Sequence, residues 1–362
     1  MANHALYGFE NLTSRMSERV TTIGVDDVLD AINQSLEEHN RQLNALVGLF
    51  AETTTDFQTQ YRTPVHYRLQ PLDENGRAEP IRRAGAYTCA WPLKQAGLAR
   101  GENYVTGVKT TLAELAMDIA AIEEADARWM RDQILAALFN NVTWTYPDDL
   151  HGDLSIQPLA NGDAVTYNLR TGDDIPATDN HYLAQAEAIS DTNNPFETAW
   201  EELMEHPENA GAEVIALVPY NLRSSIRALT DYYDAPDANI NYGNDTALLG
   251  AFPNIAVPGE MLGYVGGGRT KVWVCEWRSL PNNYIIHVAV GAPAGKPLRM
   301  RQHEEAELQG FKMVATREDY PYSESQWLRF AGFGGWARVS ATVTLIGSAS
   351  YVIPPGYAEP VP

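Results

Sequence analysis

The sequence predicts an α+β fold in which two long helices and an extended hairpin precede a region of mixed strands and helices. Three observations indicate this. Apolar residues recur at three- and four-residue steps over residues 25–52 and 110–141, as they do in amphipathic helices. Residues 54–105 have a strand-like composition with a turn sequence in the middle. Beyond residue 194, a strand-like run is followed at once by a helix-like segment, which favours a layered arrangement.

The first predicted helix, 25–52, needs a partner surface for its apolar stripe. Asp26 and Asp27 favour its start, because carboxylates stabilise the positive end of the helix dipole. The stripe consists of Val25, Val28, Leu29, Ile32, Leu36, Leu43, Leu46, Val47 and Phe50.

Residues 54–105 predict a hairpin that is too long to be stable by itself. The sequence Asp73-Glu74-Asn75-Gly76 is typical of a turn with positive φ, and strand-like sequence resumes from Glu79 to Trp91. Each arm of about 14 residues reaches roughly 45 Å at the rise of a strand. A two-stranded hairpin of this length is marginal in water. We therefore expect another copy of the chain to hold it.

The second predicted helix, 110–141, is of similar length to a hairpin arm, about 45 Å at helical rise. Thr111 and Glu114 form a capping-box pattern at its start. Glu123, Glu124 and Asp126 make its middle acidic. Its apolar stripe consists of Leu112, Leu115, Ile119, Ile122, Trp129, Leu135 and Leu138.

The rest of the chain predicts shorter elements. A helix starts at Asn194-Pro195, a buried strand covers 213–218, and a second helix follows Pro219 and ends near Tyr233. Residues 271–277 and 284–290 alternate as strands do. In the last predicted strand two sets of side chains face opposite ways: Val339, Ala341, Val343 and Leu345 on one side, and Arg338, Ser340, Thr342 and Thr344 on the other.

Charge excludes one class of function. The formal net charge is −21, and a protein this acidic is not expected to bind nucleic acid by neutralising phosphates, although it can surround DNA. The net charge is +3 over 54–109, −4 over 110–141 and −17 over 142–262. Two interpretations stay open: an uneven solvated surface, or a basic hairpin that docks on an acidic surface of a neighbouring copy.

The sequence contains no signal of membrane insertion or export. It has no apolar stretch of about 18 residues, and Met1–Val20 lacks an apolar signal-peptide run. We therefore expect synthesis in the cytoplasm. Cys89 and Cys275 lie far apart and are expected to be free thiols.

No motif predicts catalysis, a cofactor or a metal, and the protein is not expected to be an enzyme. Gly266–Lys271 lacks the Gly-Lys-Ser/Thr ending of a phosphate loop and is interpreted as a hairpin tip. The 8 histidines have no metal-ligand spacing. Asp237–Asp245 resembles a calcium loop only loosely, with Gly243 misplaced. The 20 acidic residues of 142–262 are better explained by a solvated surface than by a hydrolase site, which is the weakest alternative.

The order of these elements resembles the major capsid protein of tailed double-stranded DNA phages, the fold family typified by Hong Kong 97. The resemblance covers nearly the whole chain. Its most telling parts are Thr111–Asn141, similar to the spine helix, and Leu328–Ile346, similar to the closing strand of the peripheral domain. It implies a structural protein that self-assembles, as pentamers and hexamers, into the icosahedral head shell around the phage DNA. The expected location is the virion, after assembly in the host cytoplasm.

The resemblance also implies a division into domains. Residues 1–53 would form the N-arm and 54–105 the E-loop, which lies over an adjacent subunit. Residues 106–194 and 296–362 would form the peripheral (P) domain. Residues 195–295 would form the axial (A) domain, which meets its copies around five- and six-fold axes.

Two departures from the type phage change what is expected. That phage joins its subunits through an E-loop lysine, whereas the predicted tip Asp73–Arg77 has no lysine and Lys94 lies well back, so we expect non-covalent assembly. Only 53 residues precede the E-loop, so we expect a separate scaffolding protein. The family also implies a portal partner and allows a decoration protein. Encapsulins, cellular shells of the same fold that enclose cargo enzymes, stay an alternative.

The charge pattern gives one hypothesis about subunit contacts. Arg82 and Arg83 of the E-loop are expected near Glu123, Glu124 or Asp126 of a neighbouring subunit. Exposed ion pairs contribute only about 0–1 kcal/mol each, so these pairs would set register and orientation more than strength.

Overall fold

The computed structural model describes residues 8–62, 71–78, 86–169, 177–234, 257–266, 270–319 and 322–362. Its α-helices are α1 Val20–Ile23, α2 Val25–Phe50, α3 Tyr104–Gly107, α4 Leu112–Phe139, α5 Pro195–Met204 and α6 Arg223–Arg227. Its 3-10 helices are Gly8–Arg15, Pro207–Asn209, Tyr220–Leu222 and Ala306–Leu308. Its strands are β1 Ala51–Thr54, β2 Gln58–Arg62, β3 Ala86–Ala90, β4 Lys94–Asn103, β5 Trp144–Asp148, β6 Gly152–Ile156, β7 Asn161–Tyr167, β8 Ala177–Asn180, β9 Tyr182–Gln185, β10 Glu213–Val218, β11 Tyr232–Asp234, β12 Glu260–Val265, β13 Val272–Glu276, β14 Tyr284–Val290, β15 Leu298–Arg301, β16 Lys312–Asp319, β17 Tyr322–Gly335 and β18 Ala341–Ile346.

A seven-stranded mixed sheet holds the central core, in the order β11-β12-β13-β10-β14-β18-β9. Strand β10 is the predicted buried strand, and it pairs parallel with β13 and antiparallel with β14. One face of the sheet packs against the C-terminal half of α4, and the other packs against α5 and α6. Coverage of both faces explains why β10 is apolar from Val214 to Val218 and why every residue of β14 is buried.

Helix α4 is the long helix predicted at 110–141, and it bridges two cores. The capping box is present: Thr111 Oγ1 accepts from the Glu114 backbone N–H, and the Glu114 carboxylate accepts from the Thr111 backbone N–H. The N-terminal half buries one stripe against α2. The last turns are buried on all sides from Gln133 to Phe139, because they lie between the sheets.

An ionic network beneath the middle of α4 joins this helix to α2 and β17. Arg329 donates two hydrogen bonds of 2.5 Å to the Asp126 carboxylate. His39 Nε2 lies 2.8 Å from Asp126 Oδ2, and Asn40 Oδ1 accepts from Arg329 at 3.1 Å. Asp126 and Arg329 are both buried, so each charge needs these partners to offset its loss of hydration.

The predicted hairpin is present at its base and at its turn. Strands β2 and β3 pair antiparallel, and Asp73 accepts a backbone hydrogen bond from Gly76, whose φ of 73° matches the predicted turn. The remaining parts of both arms, 63–70 and 79–85, lie outside the described residues.

Strand β4, in the range assigned to the E-loop, pairs with β17 of a five-stranded sheet along its whole length. The glycines at the end of β17 allow close packing there. A Cβ on Gly332 would lie 2.2 Å from Pro92 O, and one on Gly335 would lie 2.7 Å from Gln157 O.

Two expected elements differ from the structure. The helix predicted to end near Tyr233 ends at Arg227, because Asp191 accepts from both the backbone N–H and the hydroxyl of Thr230, and the chain then enters β11. The last strand, β18, begins at Ala341, and both its faces are buried. Alternation of Val and Thr there does not separate core from solvent, because both faces of the central sheet are covered, one by α4 and the other by α5 and α6.

Cys89 and Cys275 are both buried free thiols, as predicted. Within the part of the chain that the structure describes, no helix combines the length and apolar character needed to cross a membrane.

Candidate subunit-contact surfaces and a buried histidine–carboxylate cluster

The base of the hairpin is fixed by aromatic rings. Tyr61 of β2 stacks on Tyr87 of β3 with ring centroids 4.9 Å apart, and Trp336 meets Tyr61 edge-on at 4.7 Å. The Tyr87 hydroxyl donates to Trp336 O at 2.8 Å, and the Arg299 guanidinium lies 3.4 Å from the Trp336 ring centroid. Aromatic and cation–π contacts of this kind add to burial. The hairpin therefore starts from a rigid base.

The hairpin turn is well ordered by its own hydrogen bonds and is exposed. Asp73 Oδ1 accepts from the backbone N–H groups of Asn75 and Arg77 at 2.9 and 2.7 Å. Residues 71–78 are all exposed, and Leu72 presents an apolar side chain that is 64% accessible.

The predicted contact residues divide into three groups. Arg82 and Arg83 lie outside the described residues. Glu124 is exposed and pairs with Arg128 at 2.8 Å, and the half-buried Glu123 accepts from Ser35 Oγ at 2.7 Å, so both are at or near the surface. Asp126 differs from what was expected. Its side chain is only 2% accessible and is bonded to Arg329, because it points from α4 into the interior.

Lys94, the lysine nearest to the hairpin, is engaged inside the subunit. Its ammonium donates to Gln133 Oε1, Glu359 Oε2 and Val361 O at 2.7, 2.8 and 2.9 Å. The side chain is 11% accessible. These contacts fix the last residues of the chain against α4 and β4.

A second polar cluster lies where the β8–β9 segment meets the end of α5. We call Asp179, His181, Glu202, Glu205 and His206 the histidine–carboxylate cluster. Asp179 Oδ2 lies 3.0 Å from His181 Nε2 and 2.6 Å from His206 Nε2, and the two Nε2 atoms are 3.2 Å apart. Both histidine side chains have 0% accessibility.

The other atoms of these groups are held by the backbone. His181 Nδ1 lies 2.8 Å from Ala341 O, and His206 Nδ1 lies 3.1 Å from Asn168 O. A carbonyl oxygen only accepts, so each Nδ1 carries a proton and donates it. Asp179 Oδ1 accepts from the Asn180 backbone N–H at 2.6 Å. In neutral rings both Nε2 atoms therefore direct a lone pair toward Asp179 Oδ2.

The carboxylates shift one another's ionisation. Burial alone would raise the pKa of Asp179, but hydrogen bonds from His181 and His206 outweigh it and hold that pKa far below its ordinary value. Burial, followed by the charges of Asp179 and Glu205, raises the pKa of Glu202 to about 8. Burial and the charge of Asp179 also raise the pKa of Glu205.

The sequence does not reveal this cluster. Asp179 and His181 are two residues apart at the end of one strand, but His206 follows a helix and is 25 residues away, which matches no metal motif. The sequence does contain an Asp-x-His pattern at residues 179–181. Its relation to His206 becomes visible only in the folded structure, which brings the β8–β9 segment and the end of α5 together.

Comparisons with known proteins bear on the fold. No protein-family model matches the sequence, and no curated protein matches it. The structure is similar to a solved structure of Mycobacterium phage Patience, with a TM-score of 0.66 and 19% identity, over 99% of this chain and 98% of the other. It is also similar to the mature capsid of bacteriophage PhiM1, with a TM-score of 0.51 and 9% identity, over 84% of this chain and 87% of the other.

These similarities show that the chain has the α+β Hong Kong 97-like capsid fold, which the order of sequence elements predicts. The central sheet crosses the expected domain boundaries. β9 and β18, from the ranges assigned to the P domain, hydrogen-bond into the sheet that also holds the strands of 195–295.

Proposed function

We propose that this chain is the major capsid protein of a tailed double-stranded DNA phage, and that it assembles with many copies of itself into the head shell of the virion. The observation that carries the proposal is the fold, which the chain shares with the Mycobacterium phage Patience structure over 99% of its length and with a phage capsid over 84%. Closed symmetry multiplies a weak contact over many copies, so each contact can be small.

The hairpin is proposed as the overlapping element. It is fixed at its base by Tyr61, Tyr87 and Trp336, and its exposed turn carries Leu72. A rigid base with an apolar tip suits an arm that lies on a neighbour. The proposed domains are the N-arm 1–53, the E-loop 54–105, the P domain 106–194 and 296–362, and the A domain 195–295, with the central sheet shared between the P and A ranges through β9 and β18. Of the E-loop range, β4 is supported by its own subunit through β17.

Subunit contacts are proposed to include Arg82 and Arg83 on one side and Glu123 and Glu124 on the other. The Glu124 side chain is 72% accessible, which supports it as a contact residue. Asp126 is buried and bonded to Arg329, so it is not proposed as a contact residue. The pairing of Lys94 with Glu359 supports assembly without a lysine cross-link.

The proposed role is structural and uses no catalysis. Pentamers and hexamers of the chain would enclose DNA without reading its sequence. A portal protein and a separate scaffolding protein are proposed as partners, with a decoration protein as an optional one.

Electron microscopy of the expressed, untagged chain, with its scaffolding protein where needed, tests the proposal. Closed icosahedral particles are expected. A chain that stays monomeric or dimeric under every assembly condition would overturn it. Particles that package a cargo enzyme instead of DNA would assign the chain to the encapsulins.

A further inference from the structure

We propose that the histidine–carboxylate cluster is a structural zinc site, with His181 Nε2, His206 Nε2 and Asp179 Oδ2 as three ligands and a carboxylate oxygen of Glu202 or Glu205 as the fourth. Its donor set is two imidazoles and two carboxylates, and all four ligands come from the protein. This proposal is independent of shell assembly, because all the residues belong to one subunit.

The separations between ligand atoms fit one small ion. Tetrahedral zinc with bonds of about 2.1 Å places neighbouring ligand atoms about 3.4 Å apart. The two Nε2 atoms are 3.2 Å apart, close to that value. Asp179 Oδ2 lies 2.6 and 3.0 Å from them, so a small outward turn of one carboxylate completes the triangle. Asp179 also shares a second group with Glu202 and Glu205, whose carboxylate oxygens lie within 4.8 Å of one another, and Glu205 Oε1 lies 3.8 Å from His206 Nε2. A rotation of the Glu202 or Glu205 side chain toward the histidines would bring the fourth ligand to the ion.

The atoms that would not bind the ion are already held in the way that metal ligands require. Each histidine donates Nδ1–H to a backbone carbonyl, Ala341 O or Asn168 O, which fixes the ring and the tautomer with Nε2 free to coordinate. Such hydrogen bonds orient zinc-binding histidines in general. Asp179 Oδ1 accepts from Asn180 N–H, which likewise directs Oδ2 inward.

A bound cation accounts for the close approach of Asp179 Oδ2, His181 Nε2 and His206 Nε2, which neutral side chains do not explain. Three atoms with lone pairs meet here, two of them on side chains with no solvent access. Among the described residues, the ion pairs of Asp179 are with the two histidines alone. Protons on both rings would let each Nε2 donate to Asp179 Oδ2 but would leave two like-charged donors 3.2 Å apart, whereas a divalent ion accepts all three lone pairs and is neutralised by two carboxylates.

The donor chemistry selects the class of metal. Imidazole nitrogen suits zinc, copper and nickel, whereas magnesium and calcium prefer all-oxygen sites. Four protein ligands leave no open position, which is typical of structural and not of catalytic zinc. The ion would join the β8–β9 segment, which borders β18, to the end of α5 on one face of the central sheet.

Metal content of the untagged, full-length chain tests the site. After chelation and dialysis, the chain is incubated with zinc alone and washed, and bound zinc is counted by mass spectrometry. We expect one zinc per subunit, and cobalt in place of zinc should give the intense visible absorption of tetrahedral coordination. Wild-type protein that retains no zinc and shows no such spectrum overturns the proposal, and the cluster is then a proton-bridged network.

Variants assign the ligands. His206→Gln and Asp179→Asn should each weaken zinc binding by at least about 100-fold, more than loss of an outer hydrogen bond. His39→Gln is the matched control, because His39 also contacts a buried carboxylate but lies in the Arg329 network, and it should retain one zinc. Glu202→Gln and Glu205→Gln are compared to identify the fourth ligand. The variant that loses affinity for zinc is the one whose carboxylate binds the ion. Equal zinc retention by His206→Gln and wild type contradicts the site even where a variant folds poorly.

Discussion

Asp126 and Asp179 are both buried carboxylates in contact with histidine, and they differ in what provides the positive charge. The Asp126 side chain is 2% accessible and the Asp179 side chain 10%, so both have lost most of their hydration. Asp126 receives two hydrogen bonds from Arg329, with His39 as a third partner. Asp179 meets two histidines whose Nδ1 atoms are committed to carbonyls.

The difference separates a complete network from an incomplete one. Arginine stays protonated at any ordinary pH, so the chain itself neutralises Asp126. Histidine is only conditionally charged, so Asp179 and the neighbouring Glu202 and Glu205 depend on protons or on a bound cation. Mutation should destabilise the protein at either network. A chelator should lower stability only through the histidine–carboxylate cluster around Asp179, because the Asp126 network contains no proposed metal site.

The largest effect is expected on removing the arginine. Arg329→Met leaves Asp126 buried with one conditional partner, and should lower the free energy of unfolding by about 3–5 kcal/mol. Denaturant unfolding of unassembled subunits measures this. Asp126→Asn in the same chain should recover part of the loss, since no uncompensated charge remains. The exposed pair Arg128–Glu124 is the control, and Arg128→Met should cost at most about 1 kcal/mol. Equal costs for the two arginines would contradict a special role for burial.

The next effect is the response to zinc. Free zinc at about 100 times its dissociation constant should raise the free energy of unfolding by about 2.7 kcal/mol, since it binds the folded chain alone. The same addition should leave Asp179→Asn unchanged, and a chelator should reverse the gain only in proteins with an intact cluster. Thermal unfolding scans with and without zinc measure this. A gain that persists in Asp179→Asn would mean that zinc acts elsewhere.

His287 extends the comparison to a third kind of buried histidine. It lies in β14 against Phe196, and among the described residues neither ring nitrogen has a hydrogen-bond partner. Burial lowers the pKa of His287 to about 3. The folded chain therefore keeps it neutral while the unfolded chain protonates it near pH 6.5, so stability is full above that pH and falls as the pH drops toward 3.

Between pH 7 and pH 5 this single group should remove about 2 kcal/mol of stability. His287→Leu should be measurably less sensitive to acid over the same interval. Urea unfolding midpoints at both pH values test the difference. Identical losses in both proteins would show that His287 does not set this part of the pH dependence.

Local chemistry made much of the fold predictable. The capping box at Thr111, the helix start at Asn194-Pro195 and the glycine of the hairpin turn each depend on a few neighbouring residues, and all three are confirmed. The helix beyond Pro219 was predicted too long, because the side chain that ends it, Asp191, lies about 40 residues away in sequence. Local sequence likewise gives no indication that β4 pairs with β17, because more than 200 residues separate the two strands.

The polar sites show the same limit. Glu123, Glu124 and Asp126 are equivalent as a run of acids, and only the position of Arg329 beneath α4 shows that the third is interior. Periodicity could have hinted at it, because Asp126 lies four residues after Ile122 and four before Met130, both on the buried stripe. No such periodicity joins His181 to His206, so the histidine–carboxylate cluster depends wholly on tertiary structure.

The smallest energy per contact is expected at the proposed subunit interface, where its effect is multiplied by copy number. Arg82→Glu with Arg83→Glu should impair shell assembly, because each reversed pair changes the contact by about 1 kcal/mol and a closed shell contains many of them. The free energy of unfolding of the isolated subunit should stay within about 0.5 kcal/mol of wild type, since these are proposed as surface residues.

Charge exchange makes this test specific. Adding Glu123→Arg and Glu124→Arg to the double variant restores opposite charges across the proposed interface, and should restore particles counted by electron microscopy and sedimentation. Assembly should also become more sensitive to salt near the wild-type threshold, because exposed pairs are screened. Normal shells from the arginine reversals alone would exclude this contact from the proposed interface.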